Sequence, residues 1–415
     1  MTAAPRLGRD FWWYLTGHGV SSWGSAFTLF AIPLMVYRLT GSAQALGTAV
    51  AVSFAPYLLF GLVLGAIVDR VDRKALMVRL ELARAALLLT VPLLDAAGLL
   101  GVGALYTLSF LLTTMRIAFD AGRFAVVANL VGPDDLVAAN GRIEAVSAAA
   151  RVLGPVLAGA VVAVAPIVVC LVLDAVSYLV SAACLLAIRR SMRAPSPARR
   201  SLAGIGPEIR EGLRYVVRHP VLRTVSLMMV LANLVDAVTL ALLVVLVKQQ
   251  LGASDTQLAW LYAAGAAGVL ALAALASRLR ATFSFAQLAV GAQIGTGLLT
   301  VAFGLNRSYV GGLVLWALIC GLGATINIAA TSLRQLIVPD RLRGRVMTVA
   351  AVLAWSAIPV GAVAGGVLTE RFGPAAVCAV AGLIAVLVGT AFLNSPLRRA
   401  DSSQRERIDA AGSSV

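Results

Sequence analysis

Apolar stretches of about 20 residues recur along this chain between short polar clusters, and that length is what a helix needs to cross roughly 30 Å of hydrocarbon. Such stretches fall near residues 11–37, 44–68, 75–96, 100–122, 138–163, 165–188, 222–248, 256–277, 284–304, 309–333, 345–369 and 373–394. Twelve spanning helices are predicted. Pro and Gly inside them do not break the reading, because neighbouring helices in a membrane satisfy the freed backbone groups. The longest connection, RRSMRAPSPARRSLAGIGPEIREGLRYVVRHPVLR, follows the sixth span. Its Pro and Ser content reads as linker, and PEIREGLRYVVRHP as a short amphipathic surface helix. The pattern divides the chain into an N-terminal six-helix bundle (1–189), a cytosolic linker with that helix (190–220), a C-terminal six-helix bundle (221–394) and a disordered cytosolic tail (395–415). A faint internal repeat supports the division: VGPDDLVAANGRIEAVSAAARVLGPVLAGA is echoed by VPDRLRGRVMTVAAVLAWSAIPVGAVAGG. Two six-helix repeats are the plan of many secondary transporters.

Composition agrees, since 60% hydrophobic and only 13% charged residues lie far from the balance of soluble domains. A net charge of +15 raises nucleic acid as a partner. The distribution of the cations argues against it. With both termini cytosolic, the external loops hold only Arg38, Lys248, Arg307 and Arg371, and nearly all other Lys and Arg fall inside. That is the bias expected of a multi-pass protein of the cytoplasmic (inner) membrane. The four cysteines lie in apolar runs without metal-ligand spacing, so no metal is expected. The N-terminus lacks the short apolar core and cleavage site of a signal peptide, so the first helix is expected to stay. No GxxxxGK[ST] loop, HExxH or Ser-His-Asp arrangement appears, which argues against ATP hydrolysis and against an enzyme.

The charged loop GAIVDRVDRK after the second span resembles the signature G-x-x-x-D-R-x-G-R-[RK] of the major facilitator superfamily. Gly65, Asp69, Arg70, Arg73 and Lys74 match it, and Asp72 stands where glycine is usual. RVLGPVLAGA resembles the superfamily's antiporter motif through Gly154, Pro155 and Gly159, with Ala158 in place of one glycine. PDDLVAANG, GLRYVVRHPVLR and VPDRLRGRV resemble the drug-efflux branch that includes macrolide and enterobactin exporters. The resemblance implies two pseudo-symmetric six-helix bundles and alternating access around a central cavity lined by the first, fourth, seventh and tenth spans. It also implies a cytosolic gate in which Asp69 faces Arg341, Arg343 and Arg345 at the start of the eleventh span. The fold class expected is therefore an all-α polytopic membrane protein of the major facilitator type.

Ionisable residues within a span are costly, so each is a functional candidate. A partly desolvated carboxyl takes up a proton more readily, as proton-coupled exchange requires. Asp236 lies about 14 residues into the seventh span, roughly 20 Å along the helix and within the middle third of the membrane. Asn233 shares its face. Arg116, Asp120 and Arg123 form one stripe of the fourth span, either as a coupling site or as a self-neutralising pair of Arg116 and Asp120. Arg116 resembles an arginine that export-branch relatives carry there. Glu144 and Arg151 share a face of the fifth span near its cytosolic end, where a gate salt bridge is the simpler role. Asp174 reads as the partner of a buried arginine such as Arg84. His18, Trp23, Phe27, Trp316, Asn327 and Trp355 are cavity candidates or packing residues.

These features point to a monomeric secondary transporter that exports an amphipathic small molecule in exchange for protons and draws on the proton gradient without a cofactor. A specific metabolite or siderophore exporter, a nutrient uptake symporter and a membrane scaffold or receptor are the alternatives.

Overall fold

The computed structural model describes residues 7–68, 71–132, 135–189, 205–393 and 395, so residues 190–204 of the expected linker and all of the expected tail but residue 395 lie outside the described residues. The helices are α1 (Arg9–Thr40), α2 (Ala43–Val68), α3 (Arg73–Ala96), α4 (Val102–Leu130), α5 (Leu136–Val164), α6 (Val168–Ala187), α7 (Ile205–Arg218), α8 (Pro220–Val245), α9 (Asp255–Thr282), α10 (Phe285–Leu305), α11 (Tyr309–Ile337), α12 (Asp340–Phe372) and α13 (Pro374–Ala391). A single π-type turn, Leu246–Gln250, extends α8.

Eleven of these helices are long and apolar enough to cross a membrane. The twelfth span is α3, whose 24 residues include Arg79, Glu81, Arg84 and Asp95, so that its apolar character is diluted without loss of length. The chain is thus an all-α polytopic membrane protein with twelve spans, α1–α6 and α8–α13. The remaining helix, α7, is the amphipathic segment read from the connection.

The two sets repeat one packing scheme. In the first, α1 packs on α5 and α6, and α3 packs on α4 and α6. In the second, α8 packs on α12 and α13, and α10 packs on α11 and α13. Lipid tails are as apolar as leucine, so helices adhere through close packing and small residues rather than through a hydrophobic drive. The α10–α13 crossing illustrates this: a Cβ on Gly297 would stand 2.8 Å from the Gly382 carbonyl oxygen, and one on Gly382 would stand 2.6 Å from the Val301 nitrogen. The first core gathers Phe11, Tyr14, Met77, Val126, Ile143 and Leu185. The second gathers Val225, Met228, Phe285, Ala289, Ile326 and Leu333.

Compactness divides the chain into two units whose edges do not follow the helix order. One comprises Met1–Gly41, Val52–Leu202 and Ala253–Ala263; the other comprises Ser42–Ala51, Ala203–Gly252 and Ala264–Val415. Within the first, the start of α9 lies on α5, where a Cβ on Gly159 would stand 2.4 Å from that of Ala259, and Arg38 pairs with Asp255. Within the second, the start of α2 lies on α12, where Gly47 faces the Ala362 carbonyl and Ser42 donates to Glu370.

Candidate functional site

In the first unit, several polar candidates converge from four helices. On α4, Asp120 stands between two arginines, with Arg116 Nε and Arg123 Nε each 3.7 Å from a carboxylate oxygen. This is the stripe expected from the spacing, with the acid shared by both cations. On α1, His18 stacks on Tyr14, with ring centroids 5.9 Å apart, and its Nε2 lies 3.0 Å from Ser147 Oγ of α5. His18 also lies within electrostatic reach of Asp120, Arg123 and Glu144. Tyr57 of α2 interacts in the same way with Arg116 and Asp120. Glu144 and Arg151, about two helix turns apart on α5 and both exposed, bond directly. His18, Arg116, Asp120 and Glu144 thus belong to one polar region. Trp23 and Phe27, half-buried, share a face of α1 separate from the one that carries His18.

The second unit holds the other candidates. Asp236 sits midway along α8, half-buried, with Ala232, Val235, Ala237 and Thr239 buried around it. Among the described residues, none forms a hydrogen bond or ion pair with its carboxyl. Cys320 of α11 is its electrostatic neighbour. Asn233 is half-buried one turn before it. Trp316 is buried, its ring centroid 5.7 Å from that of Phe303. Asn327 is exposed, with Nδ2 donating to the Gly323 carbonyl of its own helix, and Trp355 is 40% exposed.

A third group was read only in part, since Glu81 was missed. Glu81, Arg84 and Asp174 form a buried cluster between α3 and α6, with Glu81 and Asp174 both 0% exposed. Arg84 forms its ion pair with Glu81, at 3.1 Å, so the expected pairing of Asp174 with Arg84 is reduced to an electrostatic one. Thr28 of α1 and Ser177 donate to Asp174 instead, and Ser181 donates to Glu81. The Arg84 guanidinium lies 4.6 Å from the Phe119 ring centroid and 4.5 Å from that of Tyr178, a doubly stacked cation. The signal was present in RLELAR, where Glu81 and Arg84 stand three apart, and in the polar residues of α6 at positions 174, 177, 178 and 181.

Of the loop signature, Asp69 and Arg70 lie outside the described residues, as do the surroundings of Gly65 and the side chains of Arg341 and Arg343. The described residues have specific tasks. Asp72, the departure from the signature, is the N-cap of α3, and its carboxylate accepts from the Ala75 nitrogen at 3.0 Å. Lys74 Nζ donates to the carbonyls of Leu186 and Ile188 and so closes the end of α6. Arg73 begins α3. Arg345 pairs with Glu211 of α7. The Gly-Pro motif packs inward, with a Cβ on Gly154 only 2.4 Å from that of Ala26 in α1 and Pro155 buried beside it. Its echo in α12 follows Pro359, where Gly361 meets the Leu234 carbonyl of α8. Each repeat therefore sets its Pro- and Gly-containing helix against the first helix of its own bundle.

Solved structures show the same fold. A bacterial homologue of the iron transporter ferroportin, in its inward-facing state, matches with a TM-score of 0.72 at 18% identity, over 92% of this chain and 98% of that one. A bacterial homologue of the human lysosomal transporter Spinster matches with a TM-score of 0.71 at 14% identity, over 97% and 96%. Two relatives from Bacillus subtilis (strain 168), both described as uncharacterized MFS-type transporters, match along most of their length. YvqJ is 26% identical over 360 residues, 84% of each chain, and YfiS is 25% identical over 386 residues, 90% of each. The family model described as transmembrane secretion effector matches residues 3–412. The chain therefore belongs to the transmembrane secretion effector family of the major facilitator superfamily and is a multi-pass membrane transporter.

Proposed function

We propose that this transporter exports an amphipathic small molecule, a drug, antibiotic or secondary metabolite, in exchange for protons. It works by alternating access, as a monomer in the cytoplasmic membrane with both termini in the cytosol. The proton gradient drives it, and no cofactor takes part. The family's description as a secretion effector favours the outward direction. The observation that carries the coupling is Asp236, a mid-span carboxyl in an apolar helix that no described residue bonds. An acid in that position is retained against an insertion penalty of roughly 2.5–3.5 kcal/mol, which marks it as a working group. The polar region around Asp120 and His18, where Asp120 pairs with Arg116 and Arg123, is the second candidate for the coupling site. The resemblance to the branch that includes macrolide and enterobactin exporters also favours the outward direction.

A panel of such compounds, tested in a host stripped of its own efflux pumps, identifies the substrate and the direction. Expression is expected to lower cellular accumulation; a rise would make the chain an uptake system. In reconstituted vesicles, Asp236→Asn should abolish substrate-driven proton release while the protein remains folded. Unchanged coupling would remove Asp236 from the mechanism.

A further inference from the structure

The amphipathic helix α7 has one side committed and one side free. Gly212 and Val216 are buried against α12 and α8: a Cβ on Gly212 would stand 3.1 Å from the Arg345 carbonyl oxygen, and Val216 clusters with Leu222, Leu342 and Val346. Glu211 adds the ion pair to Arg345. On the free side, Arg210, Arg214 and Arg218 recur at every fourth position and are all exposed. At 3.6 residues per turn they cover an arc of about 80°. Among the described residues, none of the three has an ion-pair or hydrogen-bond partner. Leu213 and Val217, 39% and 49% exposed, border the arginines as a second stripe.

Only His219 separates α7 from the membrane-spanning α8, and Gly212 meets Arg345 at the start of the α12 span, so α7 lies at the ends of these two spans. A helix that presents cations beside exposed apolar side chains at that depth matches the boundary between anionic headgroups and acyl chains. We infer that the free face of α7 is a binding surface for anionic phospholipid headgroups, with Arg210, Arg214 and Arg218 on the phosphates and Leu213 and Val217 dipping below them. A soluble acidic partner would use the cations but leave the apolar stripe in water. Glu211, Arg345 and the close contact at Gly212 fix this surface to α12. The inference uses the membrane orientation proposed above, which puts α7 on the cytosolic leaflet, but it does not depend on export.

The full-length protein in phosphatidylcholine nanodiscs is titrated with fluorescent phosphatidylglycerol, for the wild type, for R210Q/R214Q/R218Q and for Arg307→Gln, which removes an exposed cation outside α7. Each arginine near an anionic surface is worth about 1 kcal/mol, or about fivefold. The triple variant should therefore lose affinity by on the order of a hundredfold, with a shallower salt dependence, while Arg307→Gln stays within twofold of wild type. L213S/V217S should weaken binding and leave the salt dependence unchanged. Equal affinity in the triple variant and wild type overturns the inference, as does a loss no larger than that of Arg307→Gln. Loss of a co-purifying acidic protein or nucleic acid, with lipid binding intact, would do so too. Since only lipid binding is read, failure here leaves the export reading standing, and the reverse.

Discussion

The buried cluster of Glu81, Arg84 and Asp174 predicts an unusual ranking of mutants. It contains two carboxyls and, among the described residues, one cation, all at 5% exposure or less. Removing one partner of a buried ion pair costs about 3–5 kcal/mol, because the other charge is left without compensation. Arg84→Met does this to both acids at once and also removes the cation from between the Phe119 and Tyr178 rings. Glu81→Gln is different, since Asp174 remains to balance Arg84 and Ser181 can still bond the amide. Asp174→Asn is likewise covered by Glu81, 3.1 Å from the guanidinium. Each single neutralisation should therefore cost about 1 kcal/mol, the net worth of one polar interaction. The double variant E81Q/D174N strands the arginine and should again cost about 3–5 kcal/mol, well beyond the sum of the singles.

The buried free thiols Cys170 and Cys184 of α6 offer a readout in the same bundle. In a background of Cys320→Ser and Cys378→Ser, heating in the presence of a thiol-reactive dye reports when α6 opens. At 2–4 °C per kcal/mol for a unit of this size, the singles should fall by a few degrees and both Arg84→Met and the double by roughly 10 °C. The scan rate is fixed, because such unfolding is commonly irreversible. Strict additivity of Glu81→Gln and Asp174→Asn would refute the charge-balance argument. So would an Arg84→Met variant no less stable than Asp174→Asn.

Three further outcomes are expected. Gln293 is 0% exposed and, among the described residues, none bonds either of its amide atoms, so Gln293→Met should stabilise the α10–α13 crossing by about 1–3 kcal/mol, seen as a higher melting temperature. As the N-cap of α3, Asp72→Ala should lower stability by about 1 kcal/mol, while Asp72→Gly, the residue usual in the signature, costs only a few tenths; equal losses in thermal scans would argue against the cap. His219 Nδ1 accepts the Leu222 N–H at the start of α8, and burial lowers its pKa below 6.5. The unfolded chain then binds the proton more readily, so its stabilising contribution is complete above pH 6.5 and is lost as pH falls through the lower folded value. His219→Asn should flatten that part of the stability-pH curve.

The fold was legible because a membrane leaves few choices: each apolar run of sufficient length must become a helix, since no water is available for its backbone. The helix with the most diluted apolar character is α3, where Arg79, Glu81, Arg84 and Asp95 interrupt the run without shortening it below a membrane-spanning length. The units were less legible. Contacts such as Gly47 on Ala362 and Gly159 on Ala259 assign the starts of α2 and α9 against helix order, and they arise from shape at single glycines that no periodicity marks. Helix ends shifted by a few residues, as at α12, which begins at Asp340 rather than 345 because the preceding Pro339 ends the turn.

Intramembrane charges stood out for the same reason that makes them costly, and so Asp236, Asp120, Arg116, Glu144 and Asp174 were all visible in the sequence. Their partners were not. Spacing identifies neighbours on one helix, which is why the Arg116–Asp120 and Glu144–Arg151 pairs were legible and why Glu81–Arg84, also on one helix, should have been read. It gives nothing about contacts across helices, where Thr28 and Ser177 take Asp174 and Ser147 meets His18. Asp72 carries the same lesson within a motif. A family pattern expects glycine there for the turn, whereas this chain uses a carboxylate to accept the free Ala75 N–H of α3, so that a mismatch to the pattern is a match to the physical requirement of the helix end.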